Sequence, residues 1–325
     1  MSDHGAMRRD VPILLALGIG AATMPAWADD FALSLALACL MYIALATSWS
    51  LFCGATRYLS LATSAFFGVG AYVSALTLEQ LPWLVAIVLG AGVAAVLAVV
   101  MGSAVLHLRG TYFAVLTFGM TELIRHAITF AEKQIAGTVG RVLVVVPERN
   151  TVYFTVLAIA LAAVATSIAV RRSRLGLAMA GIGSDEQRAQ TLGVDTRRIK
   201  VIGFAITAAF AGAMGAAMSV RWTYIEPATV FNPFIGFQTV LIALVGGAAT
   251  LWGPLVAAIV FSLLAEALRL QLPQVYMMVL GLLLILSVMY LPGGLASLRV
   301  DPRAAWRKLA AARGRRGAAK RASDA

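Results

Sequence analysis

Three ionisable residues on one predicted membrane helix are the strongest candidates for chemistry in this sequence. Glu122, Arg125 and His126 follow at spacings of three and four residues, which places them on one face of a helix. Charges inside a membrane are costly, so these residues are candidates for a proton relay. The same spacing lets them neutralise one another, and we favour this structural pairing. Glu266, with Arg269 three residues later, receives the same interpretation.

The sequence lacks the motifs of common catalytic and nucleotide-binding sites. It contains no G-x-x-x-x-G-K-[ST] phosphate loop and no Gly-Lys pair, so we do not expect this chain to bind ATP. We also find no G-x-S-x-G elbow, Ser-His-Asp set or metal-spaced Cys/His cluster. We therefore expect neither an enzyme nor a resident cofactor or metal. If ATP drives this protein, ATP and Mg²⁺ should bind separate polypeptides.

The composition is that of a membrane protein. Hydrophobic residues make up 61% of the 325 residues and charged residues only 13%, whereas soluble domains are about 25% charged. A soluble fold of this size could not bury so much apolar surface. Cys39 and Cys53 share one apolar run, where a helix would separate them by ~21 Å. That separation excludes a disulfide between them.

Apolar runs of about twenty residues predict ten transmembrane segments. They cover 11–28, 31–53, 61–78, 82–106, 111–130, 152–170, 199–220, 235–250, 254–270 and 274–291. We therefore expect an all-α polytopic membrane protein in two five-segment halves. Because five is odd, the halves would cross the membrane in opposite directions, as an inverted repeat. "AWA" before Asp29 resembles a signal-peptide cleavage site, but the next apolar run begins at Phe31, which favours an uncleaved first helix.

Basic residues predict that both termini are cytoplasmic. Arg8 and Arg9 precede the first segment, and of the 26 Lys and Arg, 7 fall in 171–200 and 9 in 299–325. Cytoplasmic loops are enriched in such residues. We predict a membrane domain over 1–298 with a cytoplasmic loop at 171–200, and a basic, partly disordered tail at 299–325 near anionic lipid. No nucleic-acid recognition motif accompanies these charges, so we expect no nucleic-acid partner.

The cytoplasmic loop contains a short polar segment, "GIGSDEQRAQTLGVDTRRIK", that predicts a helix of about two turns over 185–192. Ser184 suits the N-cap and Gln187 would complete a capping box. Gly193 suits the left-handed position that ends a helix, with Val194 beyond it. Isolated helices this short are marginal in water. The rest of the protein or a partner must therefore hold it, and an ordinary structured loop is the alternative to a docking element.

One face of this predicted helix carries Ala189 and Leu192, which could insert into a hydrophobic groove. The flanking basic residues would anchor both ends of the loop at the membrane surface. These residues are Arg171, Arg172, Arg174, Arg197, Arg198 and Lys200.

Two glycine-rich stretches at corresponding positions of the two halves predict a solute pathway. They are "SAFFGVGAY" at 64–72 and "ALVGGAATLWGP" at 243–254, and paired broken helices mark the binding site in many transporters. Exposed backbone there could bind an amino-acid zwitterion between apolar walls. The candidate residues are Phe67, Gly68, Gly70, Tyr72, Gly246 and Gly247. The alternative is that the glycines only let helices pack closely.

Six strings resemble, in order, segments of LivM-type permeases from branched-chain amino-acid ABC importers. They are "LSLATSAFFGVGAYVSAL", "LRGTYFAVLTFGMTELIR", "SRLGLAMAGIGSDEQRAQTLGVDTRRIKVIGFAITAAFAGAMGAAM", "YIEPATVF", "LVGGAATLWGPLVAAIV" and "LPGGLASL". The resemblance runs from about 40 to 298. It implies a permease subunit in the bacterial inner membrane that carries branched-chain or similar amino acids.

The resemblance also implies partners and a role for the polar helix. The expected partners are two ATP-binding subunits, a second homologous permease and a periplasmic solute-binding protein. Residues 184–193 would be the coupling helix that docks into an ATP-binding subunit. The residues assigned to it are Ser184, Asp185, Glu186, Gln187, Ala189, Leu192 and Gly193.

The chain departs from the family pattern in two places, and both leave the solute open. Ala62 and Thr63 stand where Gly-His is expected, and "AGTVG" at 136–140 replaces a "TGGTNG"-like turn. Similar permeases carry urea, short amides or aromatic acids. Two other classes remain open, an ion-coupled secondary transporter that uses Glu122 and His126, and a scaffold or channel without coupling.

Overall fold

The chain forms a helical membrane domain in this computed structural model, which describes residues 18–108, 110–143 and 147–290. The helices, in chain order, are α1 (Asp30–Trp49), α2 (Thr63–Thr77), α3 (Trp83–Val105), α4 (Thr111–Ala136), α5 (Arg149–Arg172), α6 (Arg174–Ser184), α7 (Glu186–Thr191), α8 (Thr196–Ser219), α9 (Pro227–Val230), α10 (Pro233–Gly246), α11 (Trp252–Gln271) and α12 (Tyr276–Tyr290). A 3₁₀ turn, Met24–Ala26, precedes α1, and a π-helical segment, Ser50–Gly54, continues it.

Within the described residues, six helical stretches are long and apolar enough to cross a membrane. They are Asp30–Gly54, Trp83–Val105, Arg149–Arg172, Thr196–Ser219, Pro227–Gly246 and Trp252–Gln271. Each overlaps a predicted segment, so the chain is an all-α polytopic membrane protein. Helix α2 is apolar but has only 15 residues, fewer than the ~20 that span a bilayer.

Other parts of the predicted topology remain predictions. Residues 11–17 of the first segment, 11–28, and all of the tail, 299–325, lie outside the described residues. Helix α12 occupies most of the predicted tenth segment. The count of ten segments and the inverted repeat are not established by the described residues.

Several helix ends follow from local sequence. Asn232 caps α10, where its Oδ1 accepts a hydrogen bond from the Phe234 amide at 2.9 Å and Pro233 occupies the first turn. Asp195 caps α8 by accepting from the Arg198 amide at 3.1 Å. Helix α4 ends at Gly137, whose φ of 70° is costly for residues with a Cβ.

Helix α8 lies at the centre of the domain and packs against α2 and α3 through small residues. A Cβ on Gly70 of α2 would meet the Gly212 carbonyl oxygen, and a Cβ on Gly215 would meet the Phe67 carbonyl oxygen. Small residues let backbones approach this closely, as is common between membrane helices. A movement of α8 must therefore change its packing against α2 and α3.

The helices end at two opposite faces. The loop face contains residues 57–62, α6, α7 and 247–251, and there Arg171 donates to the Ala249 carbonyl at 2.6 Å. The β face contains residues 137–143 and 220–232. Arg141–Val142 (β1) and Tyr224–Ile225 (β2) pair there as an antiparallel ladder. This two-residue ladder is an addition to the predicted all-α fold.

Candidate functional site

Helix α7 on the loop face corresponds to the predicted polar helix, but its N-cap is Asp185 rather than Ser184. The Oδ1 of Asp185 accepts hydrogen bonds from the amides of Gln187 at 3.0 Å and Arg188 at 3.1 Å. The predicted capping box through Ser184 is therefore wrong. Helix α6 continues through Ser184, whose hydroxyl donates to the Ala180 carbonyl at 3.1 Å. Asp185, at φ −162°, is the first residue with extended backbone.

The C-terminal end of α7 confirms the predicted glycine cap. Gly193 has a φ of 82°, and its amide donates to the Gln190 carbonyl at 2.9 Å. The Val194 amide donates to the Ala189 carbonyl at 3.0 Å. These two bonds form a Schellman motif, so the sequence itself ends this helix.

The predicted apolar docking face of α7 is only half exposed. Leu192 is 83% exposed, whereas Ala189 is 4% exposed and belongs to the buried core. The helix ends at Thr191, so Leu192 occupies the C-cap and turns outward. Leu177 of α6, which is 76% exposed, is the other large apolar side chain exposed on this loop. An apolar docking surface here would consist of Leu177 and Leu192.

A buried ion pair, absent from the sequence predictions, fixes α7 to the membrane domain. The Nζ of Lys200 donates to Glu186 Oε1 at 2.8 Å, to the Leu106 carbonyl at 2.7 Å and to Tyr58 Oη at 3.2 Å. Tyr58 Oη in turn donates to Glu186 Oε2 at 2.7 Å. The side chains of Lys200 and Glu186 are only 5% and 9% exposed. We call Tyr58, Glu186 and Lys200 the loop-face cluster.

Several of the basic residues predicted to anchor the loop at the membrane surface have protein partners, including Arg197, which donates to the Ser103 carbonyl at 3.5 Å, and Arg198, which pairs with Asp195 at 2.9 Å. Lys200 is buried in the loop-face cluster, and Arg171 donates to the Ala249 and Thr250 carbonyls at 2.6 and 3.3 Å. Tyr58 carries no sequence signal for its role, because 128 residues separate it from Glu186.

A second buried carboxylate lies at the β face. Glu132 Oε2 accepts hydrogen bonds from Tyr72 Oη at 2.6 Å and from the Gly140 amide at 2.9 Å, while Oε1 accepts from Arg141 Nε at 3.3 Å. We call Tyr72, Glu132 and Arg141 the β-face cluster. Glu132 lies beyond the predicted fifth segment, which ends at 130, so the sequence alone did not mark it as an intramembrane charge.

The glycines predicted to expose backbone to solute are covered by other helices. A Cβ on Gly68 would meet the Phe231 ring, and a Cβ on Gly246 would meet the Gly253 carbonyl. Helix α2 also runs unbroken through Gly68 and Gly70. Phe67 is fully buried, Tyr72 is bonded to Glu132, and Gly247 has a φ of 95° at the C-cap of α10. The alternative, close helix packing, describes these glycines in this structure.

The intramembrane charges pair as expected. Arg125 and Glu122 lie 2.5 Å apart on α4, and Arg269 and Glu266 lie 2.8 Å apart on α11. His126 is 72% exposed, with its Nε2 3.9 Å from Glu122. The geometry therefore supports structural pairing over a proton relay.

The fold and the loop face together define a polytopic helical membrane protein with a short polar helix bonded to its core. Residues 31–288 match a family described as "Branched-chain amino acid transport system / permease component", and the chain belongs to this family. It is therefore a transport permease rather than an enzyme.

Individual relatives agree with the family assignment. The chain is 25% identical over 316 residues to the high-affinity branched-chain amino acid transport system permease protein LivM of Escherichia coli K12, covering 87% of this chain and 74% of LivM. LivM of Salmonella typhimurium is equally similar, at 25% identity over 315 residues, with the same coverage of 87% and 74%. LivH of Escherichia coli K12 is 31% identical over 141 residues, which are 42% of this chain and 44% of LivH. No solved structure matches the chain.

Proposed function

We propose that this protein is a permease subunit of an ATP-driven ABC importer that moves branched-chain or related amino acids across the bacterial inner membrane. The observation that carries this proposal is the loop-face cluster, which bonds a self-capped surface helix to the central helix α8. Such a connection would transmit a displacement of α7 to α8 if a partner outside the membrane moves α7. Membership in the permease family supports the solute class.

The proposed partners are two ATP-binding subunits, a second homologous permease and a periplasmic solute-binding protein. The likeness of this chain to both LivM and LivH proteins supports a pair of related permeases. ATP and Mg²⁺ would bind the ATP-binding subunits, since the chain has no phosphate loop. The loop face would be cytoplasmic, because residues 171–200 carry 7 of the 26 Lys and Arg.

The coupling path follows from the contacts. A displacement of α7 passes through the Glu186–Lys200 pair to the first turns of α8. Helix α8 is in backbone contact with α2 and α3, so its tilt would change their packing. The ATP-binding subunits can drive this change only if they contact α7 differently in their two states.

Substitution of the exposed leucine tests the docking step. Leu192→Asp places a charge where an apolar groove would have to receive it, and we expect at least tenfold less ATP-binding subunit to copurify with the permease. Gln80→Asp, an exposed site beyond α2 on the β face, adds the same charge as a control and should copurify normally. Unchanged copurification of the Leu192→Asp protein would contradict docking at α7.

A further inference from the structure

A cavity lined by both polar and apolar side chains opens between helices near the β face, away from the glycines discussed above. Its volume is about 440 Å³, and α1, α10 and α11 form its walls together with residues that follow α8. Binding cavities for small molecules occupy roughly 300–1,000 Å³. Its polar side chains include Tyr42, Arg221, Asn232, Gln238, Glu266 and Arg269.

The cavity is lined by two arginines, Arg221 and Arg269, but by one carboxylate, Glu266. Glu266 is paired with Arg269 at 2.8 Å, whereas no carboxylate among the described residues lies within salt-bridge distance of Arg221. Partial burial lowers the pKa of the Arg221 guanidinium, the charge of Arg269 lowers it further, and Glu266 opposes both. The guanidinium still carries its charge at neutral pH. Among the described residues, the cavity therefore offers an incoming anion a cation that has no carboxylate within salt-bridge distance.

The polar groups continue from the rim into the membrane. Arg221 lies just beyond the end of α8, at the rim. Gln238 lies about 8 Å along α10 from Pro233, and Tyr42 lies about 18 Å along α1 from Asp30, at 1.5 Å per residue. Tyr42 Oη donates to Gln238 Oε1 at 2.8 Å. Polar groups at this depth are costly unless they serve a structural or binding role.

Apolar side chains form the rest of the wall. Met41 of α1, Phe234 and Ile235 of α10 and Met218 of α8 line the same cavity. A guanidinium binds a carboxylate through two parallel hydrogen bonds, and such apolar walls accept an aliphatic side chain. Glu266 accepts from Arg269 through Oε1, and its second carboxylate oxygen can accept a hydrogen bond from an ammonium group. These three features are what an aliphatic amino-acid zwitterion needs.

We propose that this cavity binds the transported amino acid on the β face, with Arg221 holding its carboxylate, Glu266 its ammonium and Met41 and Ile235 its side chain. The proposal rests on the proposed function and adds to it a site on the side from which solute enters. The covered glycines of α2 and α10 then serve helix packing alone.

Equilibrium binding to the purified complex of permeases and ATP-binding subunits tests this site. We expect Arg221→Gln to weaken binding of radiolabelled L-leucine at least tenfold, and Arg221→Lys to weaken it less. Leucinol, which lacks the carboxylate, should compete at least tenfold less well than leucine for the wild type and equally well for Arg221→Gln. Arg198→Gln, an exposed site on α8 outside both this cavity and α7, is the matched control.

The outcomes separate this proposal from the proposed function. ATP-dependent leucine uptake by the wild-type complex, supplied with its solute-binding protein, tests the function alone. If that uptake occurs while Arg221→Gln binds leucine normally, or while the wild-type complex binds no leucine, the site is wrong and the function stands.

Labelling of the wild-type complex gives a test that does not depend on a variant folding. Phenylglyoxal modifies accessible arginines, and peptide mass spectrometry reports each site. We expect leucine to protect Arg221 at least fivefold and to leave labelling of Arg198, an exposed arginine outside α7, unchanged. Equal labelling of Arg221 with and without leucine would overturn the proposal.

Discussion

On the loop face and on the β face, a buried carboxylate accepts a hydrogen bond from a tyrosine hydroxyl. The two faces differ in the exposure of the cation that pairs with this carboxylate. The tyrosine–carboxylate distances are nearly equal, 2.7 Å for Tyr58 and Glu186 and 2.6 Å for Tyr72 and Glu132. Lys200 of the loop-face cluster is 5% exposed, whereas Arg141 of the β-face cluster is 40% exposed.

This difference indicates two mechanical roles. A fully buried ion pair is costly to separate, because each charge would lose a close opposite charge where water cannot replace it. A half-exposed pair can exchange its partner for water at little cost. We therefore interpret the loop-face cluster as a fixed joint and the β-face cluster as a contact that can open. Helix α2 connects them, since Tyr58 precedes its start and Tyr72 lies within it.

Loss of the buried cation should have the largest effect. Lys200→Met removes the cation that lies 2.8 Å from buried Glu186, and we expect a loss of about 3–5 kcal/mol in stability. Thermal unfolding of the detergent-purified permease, followed by circular dichroism, measures the loss. The double variant Lys200→Met/Glu186→Gln should recover most of it, because it removes both charges. If the Lys200→Met protein melts at the same temperature as the wild type, the Glu186–Lys200 pair contributes nothing to stability.

Removal of the β-face charge should cost less. Glu132→Gln weakens the bonds to Tyr72 Oη, the Gly140 amide and Arg141, with an expected loss of about 1–3 kcal/mol. Hydrogen exchange at the Gly140 amide should accelerate, while exchange at the Val194 amide on the loop face stays unchanged. Glu79→Gln, an exposed carboxylate on the same face, is the control. Unchanged exchange of the Gly140 amide in the Glu132→Gln protein would contradict its hydrogen bond to Glu132.

The smallest expected effect distinguishes the two adjacent residues at the start of α7. Asp185→Ala removes the observed N-cap and should cost about 1 kcal/mol. Ser184→Ala removes only a bond to the Ala180 carbonyl within α6 and should cost less. Exchange rates of the Gln187 and Arg188 amides measure both effects. A larger effect of Ser184→Ala than of Asp185→Ala would place the N-cap at Ser184, as the sequence alone predicted.

The sequence predicts the elements whose signals are local. Six of the ten predicted apolar segments coincide with membrane-length helices in the described residues, and Gly193 marked the end of α7 because only a residue tolerant of positive φ fits there. The pairing of Glu122 with Arg125 was also predictable, since helix spacing alone brings them together.

The remaining features depend on contacts between distant parts of the chain. Nothing local to Tyr58 indicates a bond to Glu186, and the burial of Ala189 follows from the packing of α7 on the core. The glycines of α2 and α10 have the same sequence signal whether they face solute or another helix. Only the positions of the neighbouring helices show that they are covered.

The central claim is that the loop-face cluster carries motion from α7 to α8, and leucine transported per ATP hydrolysed tests it most directly. The double variant Lys200→Met/Glu186→Gln is suited to this test because it should be stable yet lack the ionic joint. In proteoliposomes with the full complex, we expect normal assembly and ATP hydrolysis but at least fivefold less leucine per ATP than the wild type. A stable, assembled double variant with the wild-type ratio would contradict the account.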